Sequence, residues 1–229
     1  MKETKEAVMQ YHGYGFDRLN MTEAYVKYLQ EYVLKIHFNN IRDNGKIVDF
    51  GGSNGRTTKL IRDVTTVEID DKARAYMNEH DIPNFATMDP ISDNSLDTIY
   101  SSHCLEHVEN PLEHLKEFNI KLKDNGKLIL VLPYEASGMN IEKYDDNGHL
   151  FAWNKTTINT LLRRAGFEVT ANEYAALGSS VKILGWPIYT ALIKNNIISG
   201  MIRLFMLYKC ELTGTRYAGE MIIRANKVK

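Results

Sequence analysis

The chain has 229 residues, 44% of them hydrophobic and 25% charged, with 28 basic residues against 29 acidic ones. That is an ordinary globular composition with enough apolar material for a real core, and a net charge of −1 excludes the electrostatic footprint of a dedicated nucleic-acid binder. Cys104 and Cys210 lack metal-type spacing, the charged opening lacks the apolar centre of a signal peptide, and the apolar run from Ile183 to Ile193 is well short of the roughly 20 residues of a bilayer span, so a cytoplasmic protein without a transmembrane helix is expected.

In chain order, the first forty or so residues show no strand pattern. An aromatic start (Tyr11, Tyr14, Phe16) leads into a helical stretch from Thr22 to Ile36, and residues 1–45 read as a helical lid. From Lys46 onward β-rich runs alternate with helical periodicity, the pattern of crossover-connected parallel strands. Strands are expected at Lys46–Phe50, Val64–Ile69, Asn84–Thr87 and Leu96–Ser101, with helices at Gly55–Asp63 and Lys72–His80 between them. Pro111 opens a helix running to Leu122, and Asp124-Asn125-Gly126 turns into a fifth strand ending at Leu132. Asn154 caps a helix to Ala165, Gly166 ends it, Phe167–Tyr174 forms a sixth strand, and Glu220–Ala225 the last. No repeat or low-complexity linker divides the chain, so one domain is expected over 1–229: lid 1–45, core 46–174, insertion 175–218 and last strand 219–229.

The strongest local signal is Ile47-Val48-Asp49-Phe50-Gly51-Gly52-Ser53-Asn54-Gly55, a buried strand entering a glycine-rich turn. Glycines let a backbone approach a ligand closely, and a following helix start offers free N–H groups. The spacing Asp49-x-Gly51-x-x-x-Gly55 departs from the G-x-G-x-x-G of dinucleotide enzymes, and an acid two residues before the first glycine suits a cationic ligand better than a phosphate. Glu68, nineteen residues after Asp49 and followed by Ile69 and Asp70, stands at the end of the next strand, where a carboxylate can accept hydrogen bonds from both hydroxyls of a ribose.

Together with the stretch from Ser92 to Pro111 (Ser101-Ser102-His103-Cys104-Leu105-Glu106-His107 at its centre), these motifs resemble the class I S-adenosylmethionine-dependent methyltransferases of the small-molecule type. The likeness spans Lys46 to Val131 and continues through Arg163-Arg164-Ala165-Gly166-Phe167. The resemblance implies a doubly wound α/β fold: a mostly parallel seven-stranded sheet of order 3-2-1-4-5-7-6, the last strand antiparallel, with helices on both faces. It implies S-adenosylmethionine (SAM) as cofactor and S-adenosylhomocysteine (SAH) as product, with the glycine loop of Asp49, Gly51, Gly52, Ser53 and Gly55 beside the methionine part, Glu68 on the ribose, Asp89 matching the acid that holds the adenine amino group, and Ile69 and Ser102 completing the cofactor set. The family's middle glycine is Ser53 here.

SAM already carries a reactive sulfonium methyl, so the protein chiefly aligns an acceptor and excludes water. For a hydroxyl acceptor His103, His107 and His149 are candidate bases, with His149 and then His107 preferred and a cap or packing histidine as the plainer alternative. His103-x-x-Glu106-His107 also invites a metal reading, with His149 as a fourth ligand. Related ubiquinone-pathway and small-RNA methyltransferases carry Glu-x-x-Glu-His there; with His103 in the first place the set is not closed, and no metal is expected. Between Glu173 and Glu211 no acidic residue occurs, while Lys182, Lys194, Arg203 and Lys209 punctuate an apolar stretch. Such a segment over 181–209 suits a lid, a dimer contact or, less strongly, peripheral membrane contact. The function read from the sequence is therefore methyl transfer to O, N or C of a small or carrier-linked metabolite, sugar or glycan precursors included, by a monomer or homodimer. A non-catalytic SAM-binding scaffold is the alternative, and a nicotinamide oxidoreductase is disfavoured by the missing G-x-G-x-x-G.

Overall fold

The computed structural model describes residues 22–135, 148–175, 201 and 217–228. The aromatic start of the expected N-terminal lid and almost all of the expected 175–218 insertion, including 181–209, lie outside the described residues. Seven strands make one sheet: β1 (Ile47–Phe50), β2 (Val64–Val67), β3 (Asn84–Phe85), β4 (Leu96–Ser102), β5 (Leu122–Glu135), β6 (Phe167–Ala175) and β7 (Tyr217–Lys227). Their order is β3-β2-β1-β4-β5-β7-β6, with the first five parallel and β7 antiparallel to both β5 and β6.

The alternation of side chains along each strand explains why the sheet is covered on both sides. Ile47, Tyr100, Ile129, Val131 and Ile222 belong to one cluster with Tyr32, Leu34, Ile36 and Phe38. Their neighbours Val48, Ile99, Leu128, Leu130 and Ile223 point the other way, onto Leu115 and Phe118 of helix α3 (Pro111–Lys121) and Ile158 and Leu162 of α4 (Lys155–Arg164). The first face belongs to α1 (Glu23–Tyr32), capped by the Thr22 side chain, which continues into a single π-helical turn at Val33–His37. Asn39 and Asn40, both in the left-handed region, end that unit. Helix α2 (Asp71–Glu79) is capped by Asp70, and α4 by Asn154 in a reciprocal capping box with Thr157.

Two expectations are corrected. No α-helix forms at Gly55–Asp63; the chain there runs in turns. Gly55 and Asp63 adopt φ of 67° and 55°, the Arg56 N–H turns back to Asn54 Oδ1, and Ile61 N–H reaches only to Thr58. Thr58 spends its hydroxyl on Asp49, and β-branched Thr57 and Thr58 are poor helix formers in any case. The Asp124-Asn125-Gly126 turn lies inside β5 as a bulge: Leu96 pairs with Leu122 and Thr98 already with Lys127, while Asn125 takes φ of 60°. No helix among the described residues is long and apolar enough to cross a membrane.

Candidate functional site

The carboxyl ends of β1, β2 and β4 are neighbours, in register at Phe50–Val67 and Phe50–Ser101, so the segments that leave them share one edge of the sheet. β1 delivers Asp49, whose buried carboxylate accepts a 3.0 Å hydrogen bond from the Thr58 hydroxyl. Gly51 turns the chain at φ of 72° and donates its N–H to Val67 O at 2.8 Å. A Cβ here would meet Cys104 Sγ at 2.3 Å, so only glycine fits this place. Gly52 packs on the Asp49 carboxylate. Ser53, in the family's middle-glycine place, itself adopts the left-handed conformation, at φ of 54°. The strain of that backbone is offset by Glu68, whose Oε2 accepts the Ser53 N–H at 2.8 Å.

Glu68 is 4% exposed, and its second oxygen accepts the Asp70 N–H at 3.0 Å. A carboxylate offers about four lone-pair sites, so two remain after those bonds. Ile69 separates it from the α2 cap and is half-buried; Ser102 ends β4, also half-buried. Asp49, Gly51, Gly52, Ser53, Gly55, Glu68, Ile69 and Ser102 thus gather at one edge. Asp89 stands apart from that hydrogen-bonded group: it is exposed and accepts from the Thr87 hydroxyl at 3.0 Å.

The histidines lie just past β4 and in the segment before α4. His107 Nδ1 is 3.3 Å from Gly148 O, and its ring meets His149 edge-on at 4.9 Å between centroids. Glu106 lies between His103 and His107, fully buried, with Oε1 3.5 Å from His103 Nδ1 and 4.0 Å from His107 Nε2. Among the described residues neither Glu106 oxygen has a partner at hydrogen-bond geometry. Ligand atoms of Glu106, His107 and His149 all lie within 4.8 Å of one another, a mixed oxygen and nitrogen set that could hold a divalent cation. His103, first in the expected pattern, is not in that set. Its Nε2 is 2.9 Å from Glu220 Oε1.

Glu220 was not legible as a site residue. On β7 and 3% exposed, it also takes the Tyr32 hydroxyl at 2.9 Å and faces His37 Nε2 at 3.2 Å, while His37 Nδ1 meets the Tyr100 hydroxyl at 2.7 Å. The only signal in the sequence is an acid heading the apolar run Met221-Ile222-Ile223. Burial works against a charged His103 ring, but the carboxylates of Glu106 and Glu220 outweigh it and raise its pKa to about 9. Burial likewise opposes charge on Glu220, and His103 and His37 outweigh it, holding the carboxyl below the usual range. His103 is therefore an imidazolium at neutral pH and drops out of the candidate bases, leaving His107 and His149.

The doubly wound sheet with its seventh strand reversed, the glycine turn after β1 and the acid after β2 define a class I SAM-dependent methyltransferase. The chain belongs to a methyltransferase-domain family whose model matches residues 19–172. Solved structures share the fold. A SAM-dependent methyltransferase from Archaeoglobus fulgidus is 20% identical with a TM-score of 0.59, over 92% of this chain and 97% of that one. The [4+2]-cyclase SpnF is 17% identical with a TM-score of 0.60, over 87% and 80%. Phosphoethanolamine N-methyltransferase 2 of Haemonchus contortus, solved with phosphomonomethylethanolamine and SAH, is 15% identical with a TM-score of 0.59, over 87% of this chain and 52% of that one. No curated protein sequence matches the chain.

Proposed function

We propose that this enzyme moves the SAM methyl group to an oxygen, nitrogen or carbon of a small or carrier-linked metabolite, sugar and glycan precursors among them, with the cofactor along the edge formed by Asp49–Gly55, Glu68, Ile69 and Ser102. The observation that carries the reading is the preformed turn: Ser53 and Glu68 are already hydrogen-bonded across two strands, and Glu68 keeps lone pairs for a ribose diol. Asp89, exposed beyond β3, is the outlying member of the set, toward the adenine. Bound along that edge, SAM would supply a sulfonium methyl for in-line transfer to the acceptor, the C–S bond breaking with its electron pair left on SAH. The positive charge of the sulfonium is consumed, and the acceptor's proton passes to a base. His149, beside His107 at the carboxyl edge, takes that proton in this scheme. The His103 imidazolium cannot.

A second reading of the same histidines is favoured by one observation. If His107 donates its Nδ1 proton to Gly148 O, its Nε2 lone pair faces a buried carboxylate at 4.0 Å. With a His149 nitrogen also within 4.8 Å, that carboxylate and imidazole form a mixed oxygen and nitrogen set of the kind a divalent cation takes. His149→Ala separates the two readings once SAH release over a panel of sugar, carboxylate and amine acceptors has found a substrate. With His149 as base, the variant loses about a hundredfold in rate and chelators leave the wild-type rate unchanged. With His149 as ligand, wild type binds zinc or manganese at one equivalent in calorimetry, the variant does not, and chelators stop turnover.

A further inference from the structure

Glu220 is a costly residue to keep where it is. It heads the buried run Met221–Ile223 of β7, and a buried carboxylate is tolerated only when its lone pairs are satisfied. Here they are, by donors from three remote parts of the chain: Tyr32 of α1, His37 of the π-helical turn and His103 past β4, at separations of 188, 183 and 117 residues. Tyr28, one helical turn before Tyr32, also feels the Glu220 charge: burial first, then Tyr25 and Glu220, raise its pKa.

What Glu220 holds leads to the cofactor edge by two routes. His103 occupies the left-handed region at φ of 51°, and the next residue, Cys104, places its Sγ in the space a Gly51 side chain would need. A movement of His103 therefore moves one wall of the glycine turn. On the other side α1 touches the exit of the same turn, where Gln30 donates to Arg56 O at 2.9 Å and the Arg56 guanidinium pairs with Glu23. We infer that Glu220 is a positioning residue of the methyl-transfer cleft, one carboxylate that fixes both the His103–Cys104 wall of the glycine turn and the seating of the N-terminal helix over it. The inference rests on the cofactor placement proposed above. Packed interiors pass on such displacements because their arrangements are discrete.

The test is Glu220→Gln in the full chain, which keeps the side-chain size but turns an amide toward groups that now donate to two oxygens. The expected result is a folded protein whose SAH dissociation constant rises about tenfold, as for coupled neighbours. The amide resonances of Gly51, Ser53 and Gly55 shift with it, without SAH present. Tyr32→Phe shifts the same resonances less, and adds nothing to Glu220→Gln in the double variant. Wild-type affinity and wild-type turn resonances in a Glu220→Gln protein that merely melts earlier would make Glu220 a core support and overturn the inference. Should that variant not fold, His103→Gln and Tyr32→Phe carry the same readouts, and silence in both overturns it. Because the amide shifts need no ligand, they are read even if wild type binds no SAH, an outcome that would instead defeat the cofactor placement.

Discussion

Glu68→Ala raises the dissociation constants of SAM and SAH by about two to four orders of magnitude, while the protein stays folded. Two charge-assisted hydrogen bonds to a ribose diol are worth about 1.5–3 kcal/mol each, and each 1.4 kcal/mol is a factor of ten. The substitution reaches further than the lost ribose contacts. It also releases the Ser53 N–H, held at 2.8 Å, and so removes the bond that offsets a left-handed serine in the turn. Glu68→Gln keeps one acceptor oxygen and is expected to fall between wild type and alanine. Calorimetric titration with SAH checks the series. Unchanged affinity in a folded alanine variant would remove the ribose from this carboxylate.

Stability falls as pH is raised toward and through about 9, and His103 is the cause. Its pKa is raised in the folded protein from 6.5 to about 9. The stability it contributes is therefore complete below pH 6.5 and lost as pH climbs through about 9. A shift of that size corresponds to on the order of 3 kcal/mol. Glu220 is the acidic limb of the same interaction. Its pKa is lowered from 4.5, so its contribution is present above that pH and fades as pH falls. Melting temperatures followed from pH 5 to pH 10 should show the alkaline decline in wild type and a flatter limb in His103→Gln. An equal decline in both would place the loss on another group.

The sheet was readable because its information is local. Period-two runs, the Asn154 cap and the glycine at 166 announce β1 to β7 and α4 within a few residues of where they lie. The glycine turn after β1 was readable for the same reason, since the conformational demands on Gly51 and Gly55 fall on neighbouring residues, at φ of 72° and 67°. The stretch from Gly55 to Asp63 misled because its periodicity is helical while its hydrogen-bonding groups are committed elsewhere, the Thr58 hydroxyl to Asp49 and the Arg62 backbone N–H to the Arg42 carbonyl. Glu220 and His37 could not be seen as partners: their pairing comes from a meeting of residues 183 positions apart. His149 was singled out by its place before α4, but its contact with His107 is set by how that segment crosses β4's end. Leu150 and Phe151 give their N–H groups to Glu106 O, which brings the two rings together.

The most direct measurement is a calorimetric titration of the purified wild-type chain with SAM and with SAH, using NAD as the control ligand. Stoichiometric binding of both adenosyl ligands and none of NAD is the expected result, because the turn lacks the phosphate-binding glycine spacing and Glu68 is proposed to take the ribose. A folded sample that is silent to SAM and SAH, or that binds NAD instead, would contradict it.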